Sequence, residues 1–212
     1  LKTPLPAPVA ELVAPYLEVV RAERAAGNLY PGSPRIALAL ARPQDRLVFS
    51  ELHPDERAAL KTLIRGDRRA RLADLDGWSV LKAELPPAER RGVVLIDPPF
   101  EEEEDFCRFE TGLQEAHRRW ATGIILFWYP IKQPAVVEKF LRRISRLGIP
   151  RILRLELTLG PLRADGPLKA CGLLVVNPPW RLDEESARLL PVLAGAMGEA
   201  GSGRHQLQWL TS

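Results

Sequence analysis

From Asp45 onward the chain alternates short apolar runs with amphipathic stretches. Leu47-Val48-Phe49 precedes a predicted helix over 54–64, and Ala70 to Ala73 precedes one near 77–84. Val93 to Ile96 precedes one near 104–120, and Ile124 to Trp128 one over 133–147. Near-continuous apolar strands alternating with helices indicate a parallel sheet covered on both faces. The rhythm then changes. Ile152 to Leu159 and Cys171 to Asn177 are joined by a Gly/Pro-rich loop with no helical pattern, which predicts an antiparallel hairpin. A helix over 183–197 and a strand over 206–210 close the chain.

Ahead of this pattern, Leu12, Val13, Tyr16, Leu17, Val20 and Ala25 recur at helical spacing within 9–26, and Gly27 and Asn28 stop the run. After Tyr30-Pro31-Gly32-Ser33-Pro34, with Ser33 placed to cap, a second helix is expected through Ala41. The expected architecture is an α/β sheet, mostly parallel, ending in an antiparallel hairpin. Residues 44–212 would form that domain, and 1–43 a small helical subdomain and its connection.

Composition narrows the class. The 212 residues are 46% hydrophobic and 27% charged, which excludes extensive disorder and collagen-like repetition. The net charge of +3 (30 basic minus 27 acidic) is too small for the overall field to name a partner, so the distribution matters more. Basic residues gather at Arg65 to Arg71, at His117-Arg118-Arg119, and at Arg142, Arg143, Arg146, Arg151 and Arg154. They fit either phosphate contacts or solvated, carboxylate-paired helix faces. Cys107 and Cys171 stand far apart without a CxxC pattern and read as buried small hydrophobes. His53, His117 and His205 have no ligand spacing, so no metal site is expected. No run of 18 apolar residues occurs, and a soluble, cytoplasmic protein without membrane contact is expected. Because the chain opens on Leu1 and holds one Met, Met197, it is expected to lack an N-terminal segment.

In open α/β sheets ligands bind beyond the carboxyl ends of the strands. Three successive strands end there in acids: Glu51, Asp76 and Asp97. Each can accept from a ribose diol or an amine, and each can equally serve a helix N-terminus. Asp97 opens Asp97-Pro98-Pro99-Phe100, where two prolines forbid helix and hold the chain extended. Asp97 and the Pro98 carbonyl then suit the two hydrogens of an exocyclic amine, and Phe100 suits stacking on a base drawn out of its stack. Asn177-Pro178-Pro179-Trp180 is a rival copy after another apolar strand. Its late position in the sheet favours a structural turn with Trp180 packed. The acidic run Glu101 to Asp105 suits the N-terminus of the helix that follows.

The stretches YPGSP (30–34), SELHP (50–54), ADLDGWSVLK (73–82), LPPAERRGVVLIDPPF (85–100), ATGIILFWYP (121–130) and GLLVVNPPW (172–180) resemble, in order, the bacterial 23S ribosomal RNA adenine-N6 methyltransferases of the large-subunit methyltransferase J type. The resemblance implies a class I, Rossmann-like fold using S-adenosylmethionine to methylate an adenine of 23S rRNA, with a monomer expected. It carries over cofactor contacts to Ser33, Glu51, Asp76, Gly77 and Asp97. It places catalysis at Asp97 with Pro98 and Phe100, so that hydrogen bonds from the amine position it for transfer. Two features depart from the family: DPPF replaces the usual DPPY, and neither the glycine-rich first loop nor the His-rich leading segment has a counterpart. The competing functions are a DNA or protein-amide methyltransferase, which shares the DPPF chemistry, and a cofactor-free RNA-binding module.

Overall fold

In a computed structural model, which describes residues 4–27, 29–100, 104–163 and 166–212, the chain divides into two compact units. One is Ala10–Ala83; the other combines Leu1–Val9 with Glu84–Ser212.

The smaller unit takes the long helix α1 (Ala7–Gly27) from Ala10 onward, followed by α2 (Ser33–Leu40). A βαβ element comes next: β1 (Leu47–Phe49), α3 (Pro54–Leu63) and β2 (Ala70–Leu72), then α4 (Gly77–Glu84). β1 and β2 pair in parallel with Leu47 opposite Ala70 and Phe49 opposite Leu72. Arg69 secures this unit. Its guanidinium donates to the Leu38 and Ala41 carbonyls at the end of α2, at 3.1 and 2.6 Å, and to Asp67 at 2.7 Å. The last carbonyls of a helix have no partner within it, so an arginine fork both satisfies them and opposes the negative end of the dipole. The expected Ser33 cap is corrected here. Gly32 holds the cap position in extended backbone without a side-chain bond, and Ser33 is the first helical residue, followed by Pro34, which needs no N–H there. Asn28 lies outside the described residues.

The larger unit holds β3 (Val93–Ile96), α5 (Glu104–Arg119), β4 (Ile124–Pro130), α6 (Pro134–Ile144), β5 (Ile152–Thr158), β6 (Ala170–Val176), α7 (Leu182–Met197) and β7 (Arg204–Thr211). Its five strands lie in the order β3-β4-β6-β5-β7. β3 pairs with β4 in parallel; the other three ladders are antiparallel. The parallel majority expected from the repeat is therefore not a majority of ladders. β3, β4 and β5 do run the same way, but the hairpin strand β6 inserts between β4 and β5 and turns both neighbouring ladders antiparallel.

β4 carries the alternation of a strand packed on one face, with Ile125, Phe127 and Tyr129 fully buried. α5 and α6 supply Phe109, Leu113, Phe140 and Ile144, all fully buried, and the Phe109 and Phe140 rings meet edge-on at 5.1 Å. Each such side chain contributes roughly 1.5–3 kcal/mol by leaving water. One row of the sheet is polar. Tyr129, Gly172 and Glu156 stand side by side on β4, β6 and β5. The Tyr129 hydroxyl reaches across Gly172 to donate to Glu156 at 2.7 Å, and Arg154 holds Glu156 and Glu138. A Cβ on residue 172 would fall 2.1 Å from the Tyr129 ring, so this crossing requires glycine.

Among the described residues no helix is long and apolar enough to cross a membrane. The cysteines depart from expectation: Cys107 is exposed on α5 and Cys171 is only partly buried.

Candidate active site

β3 ends at Ile96, opposite Phe127 of β4, and Asp97-Pro98-Pro99-Phe100 follows directly. Neither proline has an N–H to continue a ladder, so the chain leaves the sheet. Phe100 then takes a left-handed conformation, φ 49°, which is uncommon for a bulky residue and costs about 1–2 kcal/mol. Packing holds it. Its ring lies 5.2 Å from Phe106, 6.3 Å from Phe109 and 6.1 Å from Trp128, the last nearly edge-on. The ring remains partly exposed. Sequence reasoning missed Phe106, although the Phe106, Phe109 and Leu113 spacing on α5 marks one inward helix face.

Asp97 stands at this turn with its side chain reaching solvent, and no described residue donates a hydrogen bond to it. Partial burial desolvates the carboxylate and raises its pKa above the ordinary value. A partly desolvated carboxylate with no donor among the described residues is an acceptor whose hydrogen bonds remain to be made from outside. Glu101 to Glu103, the first acids of the following run, lie outside the described residues; Asp105 is buried with Arg108 3.6 Å away.

The rival copy is a different object. Asn177 is left-handed, φ 51°, and its amide nitrogen donates to the Ala121 and Gly123 carbonyls at 2.7 and 2.9 Å. Because β6 runs against β4, Asn177 sits beside the start of β4 whereas Asp97 sits near its end. Four residues of β4 separate the two levels, about 13 Å at a strand's rise per residue. The amide is committed to closing a turn, and the two motifs face opposite ends of the sheet. The expectation that Trp180 packs is overturned: the turn ends in a left-handed Arg181, and the indole is 86% exposed.

In the smaller unit, Glu51 and Asp76 follow the ends of the paired strands β1 and β2. The loops that carry them are tied together: Ser50 Oγ donates to Leu75 O at 2.9 Å, and Arg57 donates to the Glu51 and Ala73 carbonyls at 3.2 and 2.8 Å and pairs with Asp74. Arg57 went unnoticed in the sequence because nothing local distinguishes it from any helix-surface arginine. Glu51 Oε1 accepts from the His53 N–H at 2.8 Å, leaving Oε2 without a partner among the described residues. Asp76 accepts from the Trp78 and Ser79 N–H groups at 3.0 and 3.1 Å. Hydrogen bonds from the Ser79 side chain and main chain, and from Trp78, hold its pKa below the ordinary value. It is thus the N-cap of α4. Gly77 opens that helix with nothing within 4 Å of where a Cβ would lie, so the fold places no steric demand for glycine there. Ser33 is exposed at the start of α2 and makes no side-chain hydrogen bond among the described residues.

The family model described as RsmJ, ribosomal RNA large subunit methyltransferase D, RlmJ, matches residues 3–211. The chain belongs to the RlmJ family. It is 39% identical over 203 residues to the protein named ribosomal RNA large subunit methyltransferase J of Escherichia coli (strain K12), covering 95% of this chain and 72% of that one. It is 34% identical over 204 residues to the protein of the same name in Haemophilus influenzae (strain ATCC 51907 / DSM 11121 / KW20 / Rd), covering 95% and 73%. A crystal structure of a protein from Legionella pneumophila str. Philadelphia 1 superposes with a TM-score of 0.85 at 32% identity, covering 97% of this chain and 75% of that one. The mixed α/β architecture with a five-stranded open sheet is that of the family, whose fold is consistent with class I methyltransferases.

Proposed function

We propose that this RlmJ-family enzyme, a ribosomal RNA methyltransferase, transfers a methyl group to the N6 amine of an adenine in 23S rRNA and uses Asp97 to hold that amine. Family membership across residues 3–211 supports the reaction class. The observation that carries the site is the Asp97 carboxylate: placed directly after a strand end, reaching solvent, partly desolvated, and without a hydrogen-bond donor among the described residues.

An adenine amine is a poor nucleophile because its lone pair is delocalised into the ring. Asp97 and the Pro98 carbonyl accept its two hydrogens, localise the lone pair and fix the nitrogen in one orientation, a positioning and electrostatic effect. Phe100 presents its ring edge or face to the base from within the Phe106, Phe109 and Trp128 cluster. Once methylated, the nitrogen is strongly acidic and its proton leaves readily to Asp97 or water.

Bound S-adenosylmethionine supplies the methyl group as an electrophile. Its chemical parts match the donor set in the smaller unit. Glu51 Oε2, without a partner among the described residues, suits a ribose hydroxyl, and the main chain at Gly77, open where a side chain would stand, suits an adenine edge beside Asp76. Ser33 completes the contacts within this unit, and the likeness of the DPPF stretch to the family's motif is what adds Asp97 to the cofactor's contacts on this reading. On this reading residues 44–212 carry the methyltransferase function and 1–43 are a helical subdomain with its connection, a division by function, whereas by packing 44–83 group with the smaller unit. An rRNA substrate places the enzyme's work in the cytoplasm, where ribosomes are assembled.

The test compares transfer of tritiated methyl into naked 23S rRNA, duplex DNA and ribosomal protein. Counts are expected in rRNA alone, located at adenine N6 by nuclease digestion and chromatography. Counts confined to DNA or protein would overturn the substrate, and absence of S-adenosylmethionine binding by calorimetry would favour a plain RNA-binding module. Asp97→Asn is expected to lower the transfer rate at least 100-fold with cofactor affinity nearly unchanged.

A further inference from the structure

The end of the five-stranded sheet opposite Asp97 gathers features that the reaction does not use. Trp180 follows β6 and is 86% exposed, with the Arg181 guanidinium 5.2 Å over one face of its ring. Glu184 braces Arg181 at 3.2 Å. At the same end, Arg151 precedes β5 and stands 5.9 Å over the ring of Trp209, which is 38% exposed. A main-chain bond from the Asn177 N–H to the Arg151 carbonyl, 3.0 Å, joins the two pairs. Arg151 and Arg181 both adopt left-handed backbone, φ 55° and 68°, so each guanidinium is delivered by a fixed turn rather than by a helix face.

Helix α6 returns from the end of β4 toward this same end. Glu138, in its middle, meets Arg154 of β5, and its last turn brings exposed Arg142 toward the start of β5, with exposed Arg146 just beyond. Neither these two nor Arg151 has a carboxylate partner among the described residues, unlike Arg118, Arg119 and Arg143. Asp183, Glu184 and Glu185, in the first turn of α7, are the acids that follow Trp180. Asp183 accepts from the Glu184 N–H, and Glu184 is taken up by Arg181.

We propose that this end of the sheet is a second RNA-contact surface, on which the free face of Trp180 stacks an unpaired base while Arg142, Arg146 and Arg151 meet phosphates. An exposed indole backed by a cation on one face offers the other to any base, because every base has a π-face. Arginines at the same end of the sheet, without carboxylate partners among the described residues, give the charge that a polyanion requires. The surplus of unpaired cations favours RNA over a protein partner, whose recognition at an exposed tryptophan needs an apolar surround. The inference rests on the rRNA reading above and extends it: the substrate would be gripped at the sheet end away from the reacting base, which favours a folded rRNA segment over a short single strand.

The test measures binding of a naked 23S rRNA transcript by filter retention, together with methyl-transfer kinetics, on the whole protein. Trp180→Ala is expected to weaken RNA binding and raise KM for RNA about tenfold, with kcat at saturating RNA and cofactor affinity unchanged. Trp180→Phe, which keeps a ring, should recover most of the affinity. Arg142→Ala with Arg151→Ala should make the dependence of log affinity on log salt shallower by roughly 1.4–1.8, about two phosphate contacts. RNA affinity and salt slope equal to wild type in these variants would overturn the proposal, as would weakened capture of a ribosomal protein with RNA affinity intact. A wild-type chain that methylates no rRNA while Trp180→Ala still loses RNA affinity would overturn the assigned reaction and leave this surface standing.

Discussion

Replacing Asn177 with alanine separates the two look-alike motifs, because the structure assigns it a large effect on stability and none on chemistry. The substitution deletes two hydrogen bonds, to the carbonyls of Ala121 and Gly123, of which the second is partly buried. At net values of about 0.5–1.5 kcal/mol each, the loss is about 1–3 kcal/mol. Alanine must also take φ 51°, which asparagine tolerates through its short polar side chain and alanine does not, adding about 1 kcal/mol. The sum is roughly 2–4 kcal/mol, or on the order of 5–15 °C in Tm for a chain of this size. Asn177→Gly loses the same bonds without the backbone strain and should retain about 1 kcal/mol more than the alanine variant. Urea unfolding of the three proteins gives these differences. Tritiated-methyl transfer, measured well below the lowest Tm, should give kcat within twofold of wild type for both variants. A folded Asn177→Ala with transfer abolished would refute the assignment of Asn177 to a turn, as would an alanine variant as stable as the glycine one.

Other outcomes follow from the same geometry. Because desolvation raises the Asp97 pKa, the acid limb of kcat/KM should lie above the usual aspartate range. For stability the sign is opposite to that of a paired acid: ionised Asp97 opposes folding, the cost is relieved as pH falls through its folded pKa, and Asp97→Asn should be at least as stable as wild type at pH 7 in urea. Asp67 is the converse case. Arg69 lowers its pKa to about 2, so its contribution is complete above the ordinary aspartate range and is lost as pH falls toward 2, a decline that Asp67→Asn should remove from the pH dependence of the denaturation midpoint. Gly172→Ala would drive a methyl group into the buried Tyr129 ring and dislodge its bond to Glu156, and should cost about 3 kcal/mol or more by the same unfolding assay.

Much of the element order was legible in the chain because it rests on local periodicity and on local stop signals. The apolar run Val93 to Ile96 reads as a strand, Pro98 and Pro99 end it, and the amphipathic stretch near 104–120 reads as a helix, all without knowledge of neighbours. The three strand-end acids were legible for the same reason: their positions follow from where apolar runs stop. Their environments were not. Asp76 turned out to cap α4, and Asp97 to stand without an internal donor, because a carboxylate's partners are set by how far the next N–H groups lie in space.

DPPF and NPPW show the division most clearly. By sequence they are near-identical strand-end turns, and pattern alone ranks them only by order along the chain. Pairing decided their difference. Antiparallel β6 carries NPPW to the opposite end of the sheet, locks its amide on two carbonyls and leaves Trp180 in solvent, whereas parallel β3 delivers DPPF beside the end of β4. Residue types and periodicity determine which segments become strands and where they stop, since those are properties of a few consecutive side chains. Strand direction, the neighbour across the ladder and the exposure of each strand end depend on contacts between segments distant in the chain, and these are settled only when the whole sheet has paired.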